Sequence, residues 1–206
     1  GFVFRSNNIL GTINNVVMGD VDNSVFYTGG DISGVIRDIT IGNAIEYVFY
    51  APNGSMLGTI SSITMGDVGN TAFYSYNSIS GTITDVIMYD VNYAFQSIIG
   101  DISGNITNIK MGEVTSSFFS VNITGTITDI TMGNISNIAF YSSNSISGTI
   151  NNIRMGNIYN EAFNADNISG VITSVVMKNV SGNYAYYVVG DISGTISDVI
   201  MGNVSF

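Results

Sequence analysis

The stretch Ser78-Ile-Ser-Gly-Thr-Ile-Thr-Asp-Val-Ile-Met-Tyr-Asp-Val-Asn92 decides the fold. Ile79, Gly81 and Ile83 alternate with Ser80, Thr82 and Thr84, the period-2 pattern of a strand with one buried face. The phase slips at Thr84-Asp85, after which Val86 and Met88 point inward around Ile87. It slips again at Tyr89-Asp90, placing Val91 inward, and a further apolar element, Ala94-Phe95, follows. Each slip marks a corner.

The stretch is one of nine. Its Gly-x-Ile core begins at Gly11, Gly34, Gly58, Gly81, Gly104, Gly125, Gly148, Gly170 and Gly194, at intervals of 21 to 24 residues. A fixed period of this size is the mark of a stacked array. Three short strands and three corners per copy predict an all-β, three-sided parallel β-helix (a β-solenoid) of nine coils, as one repeat domain over residues 1–206. Helical repeats would need apolar residues at i, i+3 and i+4, which are absent. The irregular segment Tyr50-Ala-Pro-Asn-Gly-Ser-Met56 is expected to bulge from the array as a loop.

Stacking pairs each strand with its equivalent in the next coil, about 4.8 Å away, so that like side chains form columns along roughly 43 Å of core. One inward column is Ile13, Ile36, Ile60, Ile83, Ile106, Ile127, Ile150, Ile172 and Ile196. A second is Met18, Ile41, Met65, Met88, Met111, Met132, Met155, Met177 and Met201. A third is expected as Phe26, Phe49, Phe73, Phe95, Phe119, Phe140, Phe163 and Tyr186. The methionine column reads as adaptable core filler rather than a metal or redox feature.

Composition agrees. The chain is 45% hydrophobic and only 10% charged, against roughly 25% charged in average globular proteins. β-branched residues suit pleated surfaces, and Asn and Gly suit turns. The net charge of −10, with five basic residues, leaves no footprint for nucleic acid. There is no cysteine, so disulfides are excluded. No apolar run approaches the ~20 residues that cross a bilayer as a helix. The chain begins with Gly rather than Met, so a processed form or a segment of something longer is expected.

The copies Ile79-Ser-Gly-Thr-Ile-Thr-Asp-Val-Ile-Met88, Ile146-Ser-Gly-Thr-Ile-Asn-Asn-Ile-Arg-Met155 and Ile192-Ser-Gly-Thr-Ile-Ser-Asp-Val-Ile-Met201 resemble coils of right-handed parallel β-helix proteins over the whole chain. That fold serves adhesins, viral fibres, polysaccharide lyases and ice-binding proteins, so the resemblance speaks to architecture rather than function. The regularity is nearer to surface fibres and adhesins than to the lyases. Enzymes of this fold resembling pectate lyases and polygalacturonases work with clustered Asp, calcium and a Lys, Arg or His. Here there is no His, the cations are scattered, and a Ser-His-Asp arrangement is impossible. The expectation is a protein without catalytic activity and without a cofactor.

Three surface features remain. The first is a Ser/Thr grid on the outward side of the first strand: Ser80, Thr82 and Thr84 within one coil, and Thr12, Thr59, Thr82, Thr126, Thr149 and Thr195 between coils, interrupted by Val35, Asn105 and Val171. It resembles the ice-binding face of β-solenoid antifreeze proteins, although Ser and Thr are also ordinary residues for a solvated strand. The second is a pair of corner columns rich in Asp and Asn. One runs Asp20, Asn43, Asp67, Asp90, Glu113, Asn134, Asn157, Asn179, Asn203; the other holds Asp38, Asp85, Asp129 and Asp198 with Asn15, Asn108 and Asn152. The run Asp67, Asp90, Glu113 is a weak candidate for Ca²⁺, the alternative being corners in which Asp and Asn bond local backbone and stack as ladders. The third is a set of sequons at Asn53, Asn105, Asn122, Asn134, Asn167, Asn179 and Asn203, which would carry N-glycans in a glycosylating secretory route.

The function expected is a structural protein of an extracellular, cell or virion surface. It would form a fibre shaft or filament, its partner a second copy joined head to tail. The last copy runs 13 residues past the start of its Gly-x-Ile and the chain opens with 10 residues before the first, together one period. The alternative is an ice-binding or carbohydrate-binding (adhesin) solenoid using the Ser/Thr face.

Overall fold

The computed structural model describes residues 2–205, which contain eighteen strands and no helix. Strand pairing is parallel and joins each coil to the next, so the molecule is a β-solenoid. In the coil quoted above, the strand Thr82–Met88 supplies two faces with a corner inside it. The strand Val91–Ser97 supplies the third. Ile79 opens the coil as a single bridge residue between Met56 and Ile102.

The columns read from the sequence are the pairing register. Ile13, Ile36, Ile60, Ile83, Ile106, Ile127, Ile150, Ile172 and Ile196 pair successively. Met65, Met88 and Met111 pair likewise, as do Met132, Met155, Met177 and Met201. Interior members of both columns are buried.

The aromatic column differs at one position. Phe118, not Phe119, stacks between Phe95 and Phe140, with ring centroids 4.8 Å apart on both sides. Phe119 faces outward, pairs with Gln96 and Tyr141, and lies 4.5 Å from the Tyr141 ring. The reason is local: this coil is the shortest, and the pairing shifts register between Val114 and Ser116, so carrying the Val114–Ile135 spacing back from Phe140 stops one residue short, at Phe119. The column also starts earlier than expected, with Phe4 stacked on Phe26 at 4.9 Å.

The segment at Pro52 does not bulge. Tyr50 and Ala51 belong to the strand Phe49–Ala51, and Met56 bridges Ile32 and Ile79 within the core. Pro52 and Asn53 form a tight turn closed by a Gly54 N–H to Ala51 carbonyl bond of 3.3 Å. Gly54 is buried against Gly30 of the previous coil.

Each corner has its own chemistry. At the first, nine residues take φ of 53–58°: Asn15, Asp38, Ser62, Asp85, Asn108, Asp129, Asn152, Ser174 and Asp198. This left-handed conformation reverses the inward–outward phase, and Asn and Asp tolerate it best among residues with a Cβ. At the second, the Asp/Asn column binds the neighbouring coil. Asp20 Oδ1 accepts the Asn43 N–H at 2.7 Å, Asn43 Oδ1 that of Asp67 at 2.9 Å, and Asn134 Oδ1 that of Asn157 at 3.0 Å. At the third, buried hydroxyls turn the chain. Ser75 Oγ donates to the Gly54 carbonyl at 2.7 Å, Ser120 to that of Asn122 at 2.8 Å, and Ser142 to that of Val121 at 2.7 Å. These serines occupy inward positions, where an unpaired hydroxyl would be costly.

Candidate binding faces

The first face carries the Ser/Thr grid. Thr12, Val35, Thr59, Thr82, Asn105, Thr126, Thr149, Val171 and Thr195 pair in that order, so the column is continuous in register. Ser80, Thr12, Thr126, Thr149 and Thr195 are exposed; Thr59, Thr82 and Thr84 are half-buried. The column is therefore exposed in the first coil and from Asn105 onward, and recessed at Val35, Thr59 and Thr82.

The glycine column lies against the previous coil: a Cβ on Gly81 would sit 2.1 Å from the Gly58 carbonyl oxygen, and one on Gly104 2.1 Å from that of Gly81. No side chain fits there. A shallow groove of about 360 Å³ results, floored by Gly34, Gly58, Gly81 and Gly104. Its walls are Ser33, Leu57, Ser80 and Ser103 on one side and Val35, Thr59, Thr82 and Asn105 on the other. It holds no charged group.

The outer edge of this face is tied down. Thr107 Oγ1 donates to Asp129 at 3.5 Å and Thr173 to Asp198 at 3.1 Å. The corner residues also bond one another, Asn108 Nδ2 to Asp85 at 2.5 Å and Asn152 Nδ2 to Asp129 at 2.6 Å. Hydroxyls beside the corner are thus partly spent on the protein, whereas the middle column faces outward.

Asp67, Asp90 and Glu113 stack along one shallow groove with Asn134, as their column requires. Their oxygens already have work. Asp67 Oδ1 accepts the Asp90 N–H at 3.2 Å, Asp90 Oδ1 that of Glu113 at 2.8 Å, and Glu113 Oε1 the Asn134 amide at 3.0 Å. Among the described residues no three acidic side chains converge in a way that would hold a metal ion. The geometry matches the corner reading of these residues: carboxylate and amide oxygens hydrogen-bonding one coil to the next.

The sequons divide by the same ladders. Asn122, Asn134 and Asn179 donate their side-chain amides to Asp101, Glu113 and Asn157 at 2.8, 3.0 and 2.8 Å. Asn167 accepts the Asp191 N–H at 3.0 Å, and Asn203 donates its own N–H to Asn179 at 3.2 Å. Asn53, Asn105 and Asn203 are exposed, and none of these three side-chain amides has a hydrogen bond among the described residues.

The third face carries a feature that the inward pattern hides. Tyr27, Tyr50 and Tyr74 pair in register on its outside, each following a core phenylalanine. Tyr47 leans against them, its ring centroid 4.1 Å from Tyr50 and 5.4 Å from Tyr74. Burial, reinforced by neighbouring phenols, pushes the Tyr50 and Tyr74 hydroxyls above their ordinary pKa. The recurring Phe-Tyr pairs at 26–27, 49–50 and 73–74 were the signal for this column.

Comparison of the chain with protein-family models, with curated proteins and with solved structures finds no match in any of the three.

Proposed function

We propose that this chain is the shaft of a structural fibre on an extracellular, cell or virion surface, lengthened by coil stacking on coil. The observation that carries the reading is the state of the end coils. Ile192 is 53% exposed and Met201 42%, while Ile79 and Met88, at the same places in an interior coil, are 0% and 2% exposed. A further coil, from the same chain or from a second copy, would bury them as the interior ones are buried. The backbone and side-chain ladders have a fixed polarity, so such stacking is head to tail. A heterologous contact of that kind that does not close on itself makes a filament.

The shaft needs no catalytic group in this reading, and its surface suits a solvent-facing fibre. In a glycosylating secretory route, Asn53, Asn105 and Asn203 are the exposed acceptors whose side-chain amides make no hydrogen bond among the described residues. Electron microscopy of the purified chain tests the proposal. Filaments whose width equals one solenoid are expected; monodisperse rods that stay roughly nine coils long, about 43 Å by the strand spacing, would overturn it.

A second reading rests on the middle hydroxyl column of the first face. Thr126 and Thr149 are exposed, uncharged and in register, as a surface that orders water or meets a glycan requires. Thermal hysteresis that disappears with Thr149→Tyr would support ice binding; hysteresis that is absent, or unchanged by that bulky group, removes it.

A further inference from the structure

The tyrosine cluster on the third face belongs to neither reading. Tyr27, Tyr47, Tyr50 and Tyr74 are half-buried and contiguous across three coils. Tyr47 is the hub. Its ring stacks on Tyr50 with 15° between planes, and meets Tyr74 of the next coil edge-on at 70°. Tyr50 and Tyr74 are themselves 5.1 Å apart. The chain has no cysteine, tryptophan or histidine, and its interior methionines are buried. Phenols are therefore the accessible one-electron donors on this surface, and here several are held within bonding reach of one another.

We propose that this cluster is a site of oxidative cross-linking, at which neighbouring tyrosines couple to dityrosine within one chain. Loss of one electron and the phenolic proton from each of two rings gives two neutral phenoxyl radicals. Their ortho carbons join in one C–C bond. The two ring hydrogens displaced there move to the oxygens as aromaticity returns. The pair has then given up two electrons and two protons, which convert one hydrogen peroxide to two waters under a haem peroxidase, the oxidant class required. A Tyr47–Tyr74 bond staples adjacent coils covalently, a tie this chain cannot make with sulfur. Proximity favours the intrachain product, because the rings are already held together and no second molecule need arrive.

The test is treatment of the dilute chain with a haem peroxidase and hydrogen peroxide. Dityrosine emission is followed, and the linked peptides are mapped after cleavage before Asp67, which separates Tyr47 and Tyr50 from Tyr74. The expected result is an intrachain product, formed at a rate per chain that does not change with protein concentration. Tyr47→Phe keeps the ring and the fold, the latter checked by circular dichroism, and should remove most of that product. Tyr89→Phe should leave it unchanged, since Tyr89 is 63% exposed and outside the cluster. Three outcomes overturn the proposal: no dityrosine, dityrosine only between chains through Tyr89 and Tyr159, or an intrachain yield indifferent to Tyr47→Phe. None of these bears on whether the coils build a fibre.

Discussion

Gly81 and Gly11 hold the same place in the repeat but not the same surroundings. A Cβ at Gly81 meets the Gly58 carbonyl oxygen at 2.1 Å, whereas one at Gly11 meets nothing within 4 Å. Gly81→Ala must push backbone apart and should cost about 3 kcal/mol or more. Gly11→Ala should stay within about 0.5 kcal/mol, as substitutions away from packed sites do. Urea midpoints of the two variants make the comparison. Tyr186 is a second case. It closes the phenylalanine column against Phe163 at 4.8 Å, and its hydroxyl is buried without a hydrogen bond. Tyr186→Phe removes that orphan and should stabilise by about 1 kcal/mol, raising Tm by roughly 2–4 °C in a chain of this size. Burial also pushes this phenol above its ordinary pKa of 10.0. The folded state then holds the proton more tightly than the unfolded chain. Its contribution is complete below pH 10 and is lost as pH rises further, so melts in alkaline buffer should fall less steeply for Tyr186→Phe.

The third-face strands show where local reading stops. Phe118 and Phe119 are adjacent and chemically identical, yet only Phe118 is in the stack. Phe118→Ala should cost about 3–5 kcal/mol, as truncation of a buried aromatic does. Phe119→Ala should cost no more than about 1 kcal/mol, since it loses one outward stacking partner. Thermal melts of both distinguish the assignment. The first corner was more legible. Asp and Asn recur there because seven of nine positions use them to hold a left-handed φ, with Ser62 and Ser174 as the exceptions. The third corner was not legible, because its serines lie at inward positions, where strand alternation leads one to expect apolar side chains.

For the molecule as a whole, repetition gives compactness. The accessible surface is 8324 Å², below the roughly 9,300 Å² that the size scaling of globular proteins gives for this mass. The stack of coils buries its chain as well as a rounded domain does. Stability in such an array is a sum of neighbouring interfaces, and its ends have one interface fewer. Hydrogen exchange should therefore be slowest at Ile106 and Ile127, which have coils on both sides, and fastest toward Ile13 and Ile196. In an elongated filament that gradient should flatten, because former ends acquire neighbours. Uniform exchange along the isolated chain would contradict the nearest-neighbour picture.

The fold was written in the sequence because strand alternation, phase slips and a period near 23 residues are local properties, and stacking turns each into a column. The Asp/Asn corners and the Ser/Thr columns were legible for the same reason. The tertiary structure decided what depends on neighbours across coils: which of two phenylalanines enters the stack, that Pro52 turns within the wall, and that the glycines floor a groove. It also decided that carboxylates such as Asp67 and Asp90 serve backbone N–H groups of the next coil, and that four tyrosines meet outside the third face. These follow from contacts between residues more than twenty positions apart, whose distances are set only when the coils close on one another.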